Sequence, residues 1–257
     1  MSSRNTMGII DTHAHLCDLK DREGVVSRAK EAGVEAIIAM GSNLTTSIAT
    51  MEWADEYPGY VHPAVGIHPT EWMTDDIKET LKYVRDQMDR IVAVGEIGLD
   101  YWNRDARKDE DVRETQRHIY VSQLQMAREN EKPVSVHGRG SWRDALDLVI
   151  QHGPERVVFH WYSGPLDVLS ELLDRGYYVS ATPATEYSRD PRAALEAAPL
   201  ERIMLETDSP VYMRNRKRNS EPSDVVVTLN ALAKLKETPR GEVERITTEN
   251  ARTFFRV

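Results

Sequence analysis

One cysteine, Cys17, stands in a chain of 257 residues. An internal disulfide is therefore excluded, and a reducing compartment is compatible. Long apolar runs are missing as well. Stretches such as Ala36-Ile37-Ile38-Ala39-Met40 fall far short of the ~18 residues that a membrane span needs. Residues 1–6 are polar and hold no signal-peptide stretch, so a cytoplasmic location without membrane association is expected. Positive charge is not in excess: 42 Asp+Glu against 33 Lys+Arg leave a formal net charge of −9. That balance disfavours a general nucleic-acid-binding surface while allowing a local basic patch. Repeats, low-complexity tracts and Pro- or Ser-rich linkers are absent too, so residues 1–257 read as a single domain.

What recurs is a type of unit. Short apolar, β-branched runs occupy residues 8–11, 36–40, 61–65, 91–96, 134–137, 157–160, 178–181 and 203–206. Continuous apolar runs of this length suit parallel strands buried on both faces. Between them lie helical patterns, for example Val25, Val26, Ala29 and Ala32, or Leu169, Leu172 and Leu173. Gly33, Gly153 and Gly176 close three of these stretches shortly before the next apolar run, as helix C-caps do. Eight such units in one undivided chain predict an α/β fold, a (β/α)₈ TIM barrel. A doubly wound open sheet is the weaker alternative, because no Gly-rich phosphate loop follows the first run.

Histidine is sparse, with eight in all, yet it is not scattered. His13 and His15 follow the first predicted strand, Glu96 ends the fourth, His137 the fifth and His160 the sixth, and Asp208 follows the eighth. In a parallel barrel these positions share one face, the one on which active sites are built. Four imidazoles and two carboxylates there suit borderline divalent metals. Six ligands exceed what one open catalytic zinc takes, and two ions sharing a carboxylate fit better. Asp11 has the parity of His13 and is expected to orient a ligand from behind.

The chain resembles the TatD family of metal-dependent hydrolases, nearly end to end. The resemblance is carried by Asp11-Thr12-His13-Ala14-His15-Leu16, Gly66-Ile67-His68-Pro69 and Val94-Gly95-Glu96-Ile97-Gly98-Leu99-Asp100-Tyr101. Gln116, Gln123, Lys132-Pro133-Val134-Ser135-Val136-His137 and Leu205-Glu206-Thr207-Asp208-Ser209-Pro210 continue it. It implies that His13, His15 and Asp208 hold one metal, His137 and His160 a second, and that Glu96 bridges them. It also implies Mg- or Mn-dependent phosphodiester hydrolysis of the deoxyribonuclease or 3′–5′ exonuclease kind, while the donor set by itself also suits Zn. The chain departs from the family pattern at Thr70, where a second histidine is usual, at Trp161, at Ser220, and at Gly140-Ser141-Trp142. The metal set is thus complete while positions facing the substrate are altered.

Further candidates surround that set. Glu206 shares a strand face with Asp208 and is expected to hydrogen-bond the attacking water or a ligand, the alternative being a buried pair with Arg or Lys. Asp208 could also take the water's proton. Arg139 could clamp a phosphate, and His68 could bind a substrate oxygen. Arg214, Arg216, Lys217 and Arg218 form a basic run after the eighth strand, where phosphate contacts are expected from Arg216 and Arg218. Tyr101, Trp102, Trp161 and Tyr162 flank the ligands and could stack bases, although packing explains any one of them. The expected enzyme is a two-metal hydrolase acting on DNA; the sequence does not fix its oligomeric state, and a monomer is compatible with it. Its rivals are a hydrolase of small amides, lactones or phosphoesters on the same barrel, and a metal-stabilised scaffold without turnover.

Overall fold

The computed structural model describes residues 8–73 and 76–257. Eight strands form one sheet in the order of the chain, each parallel to the next. They are β1 (Ile9–Ala14), β2 (Val34–Gly41), β3 (Val61–Val65), β4 (Ala93–Asp100), β5 (Val134–Arg139), β6 (Val157–Phe159), β7 (Tyr178–Ala181) and β8 (Ile203–Leu205). The sheet closes just past β8, where Ala14 bridges Ser209 and His15 N–H donates to Ser209 O at 2.7 Å. The expected (β/α)₈ barrel is the observed fold.

Helices α1 (Arg22–Glu31), α2 (Leu44–Glu56), α3 (Ile77–Asp86), α4 (Glu110–Glu129), α5 (Trp142–His152), α6 (Leu166–Asp174) and α7 (Arg189–Ala197) fill the crossovers. Side chains at their starts satisfy donors that the helix leaves unpaired. Asp21 accepts from Gly24 N–H at α1, and Asn43 with Thr46 forms a reciprocal capping box at α2. After β8 comes a hairpin of β9 (Tyr212–Met213) and β10 (Arg218–Asn219), then α8 (Val225–Leu235) and α9 (Arg240–Phe255). Among the described residues no helix is long and apolar enough to cross a membrane.

The core has two layers, as strand alternation requires. On β2, Ile37 and Ala39 join the outer layer against the helices, whereas Ile38 and Met40 join the inner one. Ala251, Phe254 and Phe255 of α9 belong to that inner cluster with Ile10, Ala64, Ala93 and Met204. The C-terminal helix thus plugs the end of the barrel opposite the strand C-termini.

Four strands run further than the apolar pattern predicts: β2 spans 34–41 rather than 36–40, β5 reaches Arg139 rather than His137, and the other two bear directly on the site. β1 reaches Ala14 rather than Asp11, and β4 spans 93–100 rather than 91–96. Both carry an extra residue against a neighbour: Asp11 to Ala14 matches Ile37 to Ala39, and Val94 to Ile97 matches Val134 to Val136. Such bulges re-aim side chains. Here they fall at His13 and Glu96.

Candidate metal centre

The barrel mouth gathers the ligand-type residues. His13 lies in the last turn of the β1 ladder with His15 just beyond it, Glu96 in β4 and His137 in β5. His160 follows β6 directly, and Glu206 and Asp208 follow β8. Asp208 has φ +50° and is anchored by its N–H, which donates to His13 O at 2.9 Å. Asp11 supports the same turn. Its carboxyl accepts from Thr207 N–H at 2.9 Å and Thr207 Oγ1–H at 2.6 Å. Asp11 therefore touches no imidazole, contrary to expectation, because the bulge after it breaks the shared parity with His13. Burial pushes its carboxyl well above the usual carboxylate range, against the bonds from Thr207.

Glu96 is the hub, and its two oxygens face two different groups. Oε2 lies 3.3 Å from His13 Nε2 and 3.3 Å from His15 Nε2. Asp208 Oδ1 closes that group at 3.7 Å from His13 Nε2 and 3.5 Å from His15 Nε2. Oε1 lies 2.8 Å from His137 Nδ1, 2.8 Å from His160 Nε2 and 3.4 Å from His68 Nε2. The rings of His13 and His160 stack at 4.0 Å.

This donor set fits divalent metal. His13 Nε2 is buried, is aimed into the centre and has no hydrogen-bond partner. Among the described residues no lysine or arginine pairs with Glu96, Glu206 or Asp208; every ion-pair partner is an imidazole. Buried carboxylates without a cation are costly. Burial opposes ionisation of Glu96, yet His68, His160 and His13 hold its carboxyl well below the usual range. Burial likewise opposes protonation of His160, yet Glu96 and Glu206 raise it well above the ordinary imidazole value. Burial and the charge of His160 lower His13. The nitrogen and oxygen donors, with no thiolate, match Zn, Mn or Mg rather than a thiolate site.

The residues behind the ligands are also ordered. Glu206 Oε1 accepts from His160 Nδ1 at 3.3 Å and from Trp161 N–H at 3.1 Å. It thus orients His160 rather than pairing with Arg or Lys, and the Nε2 of that ring is left to face Glu96. Ser135 Oγ meets His13 Nδ1 at 3.3 Å.

His68 plays a different part. Thr70 N–H donates to its Nδ1 at 3.2 Å, with Thr70 Oγ1 at 2.6 Å. Nδ1 is therefore an acceptor, and the neutral ring carries its proton on Nε2. Burial lowers the ring's pKa and favours that neutral form. His68 accordingly points an N–H at the centre, and Thr70, where the family pattern has histidine, sets its tautomer.

Sequence reasoning gave no role to Asp100 or Ser135 and named Thr70 only as a departure from the family pattern. Only Asp100 has a signal, lying four residues past Glu96 on one strand. Its Oδ1 accepts from Trp102 N–H at 3.0 Å, Asn103 N–H at 2.9 Å and Arg139 Nε at 3.1 Å, while Oδ2 accepts from Arg139 Nη2 at 2.7 Å. Burial opposes its ionisation, but bonds from His137 and Arg139 pull the carboxyl to about 2. Gln116 and Gln123, one face of α4, tie the loop after β3 to this region. Gln116 spans Asp100 N–H and Pro69 O, and Gln123 spans both backbone groups of Ile67. Gly98 is required where it is: φ is +148°, and a Cβ there would lie 2.0 Å from His137 O.

A cavity of about 1360 Å³ opens over Glu96 and Asp208, and His68, Arg139 and Trp102 line it. The basic run does not. Arg216 binds Glu186 through both Nη atoms, and Arg218 binds Asp224 at 2.7 and 2.6 Å. Neither lines the cavity. Phosphate contacts expected of these two would therefore lie outside the cavity: the run forms the tip and base of the β9–β10 hairpin, and Glu186 and Asp224 pair with the two arginines.

A model of the TatD related DNase family matches residues 10–256. The human protein named deoxyribonuclease TATDN3 is 31% identical over 261 residues, covering 97% of this chain and 95% of that protein. The 3′-5′ ssDNA/RNA exonuclease TatD of Pectobacterium carotovorum is 31% identical, over 93% of this chain and 94% of that one. The crystal structure of YjjV, a TatD homolog from Escherichia coli, matches with a TM-score of 0.87 at 25% identity, over 97% of this chain and 98% of that chain. The barrel, its gathered imidazoles and carboxylates, and a match that spans nearly every residue lead to one conclusion: the chain belongs to the TatD related DNase family and is a metal-dependent hydrolase.

Proposed function

We propose that this protein is a cytoplasmic phosphodiesterase that acts on DNA through a centre for two divalent ions. One observation carries the reading: the two oxygens of Glu96 address two separate groups of donors, as a bridging carboxylate must. His13, His15, Asp208 and Glu96 Oε2 would hold one ion; His137, His160 and Glu96 Oε1 the other. Bound there, such ions supply a hydroxide near neutral pH and offset charge on the phosphoryl oxygens.

The chain's own groups do the rest. Asp208 is placed to accept the proton of the attacking water. His68 Nε2–H is placed to donate to a substrate oxygen beside Glu96. Arg139, half-exposed and fixed by Asp100, is oriented to receive a phosphate. Glu206 holds His160 in its tautomer. The deoxyribonuclease and exonuclease names of the relatives support DNA as substrate.

Glu96→Gln tests the reading. Since losing a group behind a metal ligand already costs about 10–100-fold, activity on single-stranded DNA should fall at least ~100-fold. Metal content should fall at both sites, with circular dichroism unchanged. A folded variant that keeps activity and two metals per chain would refute the bridge. Activity on esters or amides with none on DNA would favour a small-molecule hydrolase.

A further inference from the structure

Four aromatic rings flank the centre, and the structure sorts them. Tyr101 and Tyr162 are 8% and 1% exposed and spend their hydroxyls internally, on Asp144 at 2.8 Å and Pro165 O at 2.7 Å. Trp161 is half-buried, with its backbone N–H held by Ser180 Oγ and Glu206. Trp102 is 65% exposed, although it lines the same cavity as Glu96 and Asp208. An indole gains most of its free energy by leaving water, so an indole held open at an active-site wall lacks a packing explanation.

Trp102 is also held in place. Its backbone N–H and that of Asn103 both donate to Asp100 Oδ1, the carboxylate that fixes the Arg139 guanidinium. Its ring rests on Gly140, whose φ is +70° and where a Cβ would come within 2.4 Å of the indole Cδ1. Main chain therefore lies against the pyrrole side of the indole, while the residue as a whole stays 65% exposed. A single buried carboxylate sets the spacing between a flat apolar ring and a guanidinium. Arg189, at the first turn of α7, lines the same cavity and makes no ion pair among the described residues.

We propose that Trp102 is the stacking platform for a nucleobase beside the scissile phosphate, with Arg139 and Arg189 on the flanking phosphates. Ring and cations held in one cavity match the two halves of a nucleotide, a planar base and an anionic backbone. Every base has a π-face, so the platform confers preference for nucleic acid without choosing a sequence. This inference rests on the phosphodiesterase reading above and adds to it a residue that distinguishes polynucleotides from other phosphodiesters.

Three substrates test it: a single-stranded oligonucleotide, a fully abasic oligonucleotide of equal length, and bis(p-nitrophenyl) phosphate. On the first, Trp102→Ala should raise KM by roughly 5- to 150-fold, the range that one lost base–aromatic stack implies, with kcat within about twofold. On the abasic strand and the small diester it should change little, and Trp102→Phe should recover most of the loss. Quenching of tryptophan fluorescence by the oligonucleotide, measured without metal, should weaken in Trp102→Ala. Equal losses on all three substrates would mean that Trp102 only supports the loop and would overturn the inference. So would DNA cleavage with an unchanged KM. Cleavage of the small diester by the unaltered protein, with none of either strand, would overturn the DNA reading and this inference with it.

Discussion

His15 carries a proton far above the range of a free imidazole. Burial works against the charged ring, but hydrogen bonds to Asp208 and Glu96 outweigh it and raise the pKa from 6.5 to about 10. A proton held more tightly when folded than when unfolded stabilises the folded chain. That contribution is fully present below pH 6.5 and is lost as the pH climbs through about 10. The metal-free protein is therefore expected to lose His15-dependent stability over that interval. A metal needs the lone pair that the proton occupies, so uptake at pH 7 must expel the proton, and affinity should go on rising above neutrality. Ordinary imidazoles would place the whole change near 6.5. Urea midpoints of the metal-free protein and of His15→Asn across pH 6–10 test the first point. Calorimetry in buffers of different ionisation enthalpy tests the second. Parallel midpoint curves for the two proteins, or metal uptake without proton release, would show that His15 is not the group involved.

Among the elements, α9 bears on the barrel without touching its chemistry. Phe254 is 1% exposed inside the inner cluster, at the end remote from Glu96. Truncation to alanine should cost about 3–5 kcal/mol, since a closed barrel end cannot collapse onto the cavity. Unfolding of the metal-loaded protein would measure the loss, and kcat of the folded fraction should hold. A loss of kcat at unchanged stability would tie α9 to the centre instead. The plug shows where sequence reading stops. The eight strands were legible because burial on both faces writes each as an unbroken apolar run. Their ends were not. Thr12 and His13, or Gly98 and Asp100, interrupt the apolar signal while the backbone ladder continues. His13, His15, Glu96, His137, His160 and Asp208 were legible as a group, because strand ends share one face. Asp11 was misread, because the bulge that re-aims His13 leaves no mark in residue types. The roles of Asp100 and Thr70 depend on hydrogen bonds to Arg139 and His68, which composition and spacing do not encode.

For the whole molecule, the question is how a chain of net charge −9 approaches a polyanion. Charge runs in the sequence point to the β9–β10 hairpin, but Glu186 and Asp224 already occupy Arg216 and Arg218. A paired guanidinium at the surface releases few counterions on binding DNA, because its carboxylate partner has already displaced them. Arg189 differs, being a cation on the cavity wall with no ion-pair partner among the described residues. Affinity for DNA falls with salt in proportion to the phosphates neutralised, and each lost contact flattens the log–log slope by about 1. Arg189→Gln should therefore raise KM for DNA and flatten the slope by about one contact. Arg216→Gln with Arg218→Gln should leave the slope unchanged and lower thermal stability, since Asp224, itself only 5% exposed, loses its partner. KM measured for both variants between 50 and 300 mM salt, roughly a sixfold range over which screening changes strongly, distinguishes the two. A flattened slope in the hairpin variant would mean that DNA breaks the Glu186 and Asp224 pairs on binding. The path of the strand would then run over β9–β10 rather than toward α7.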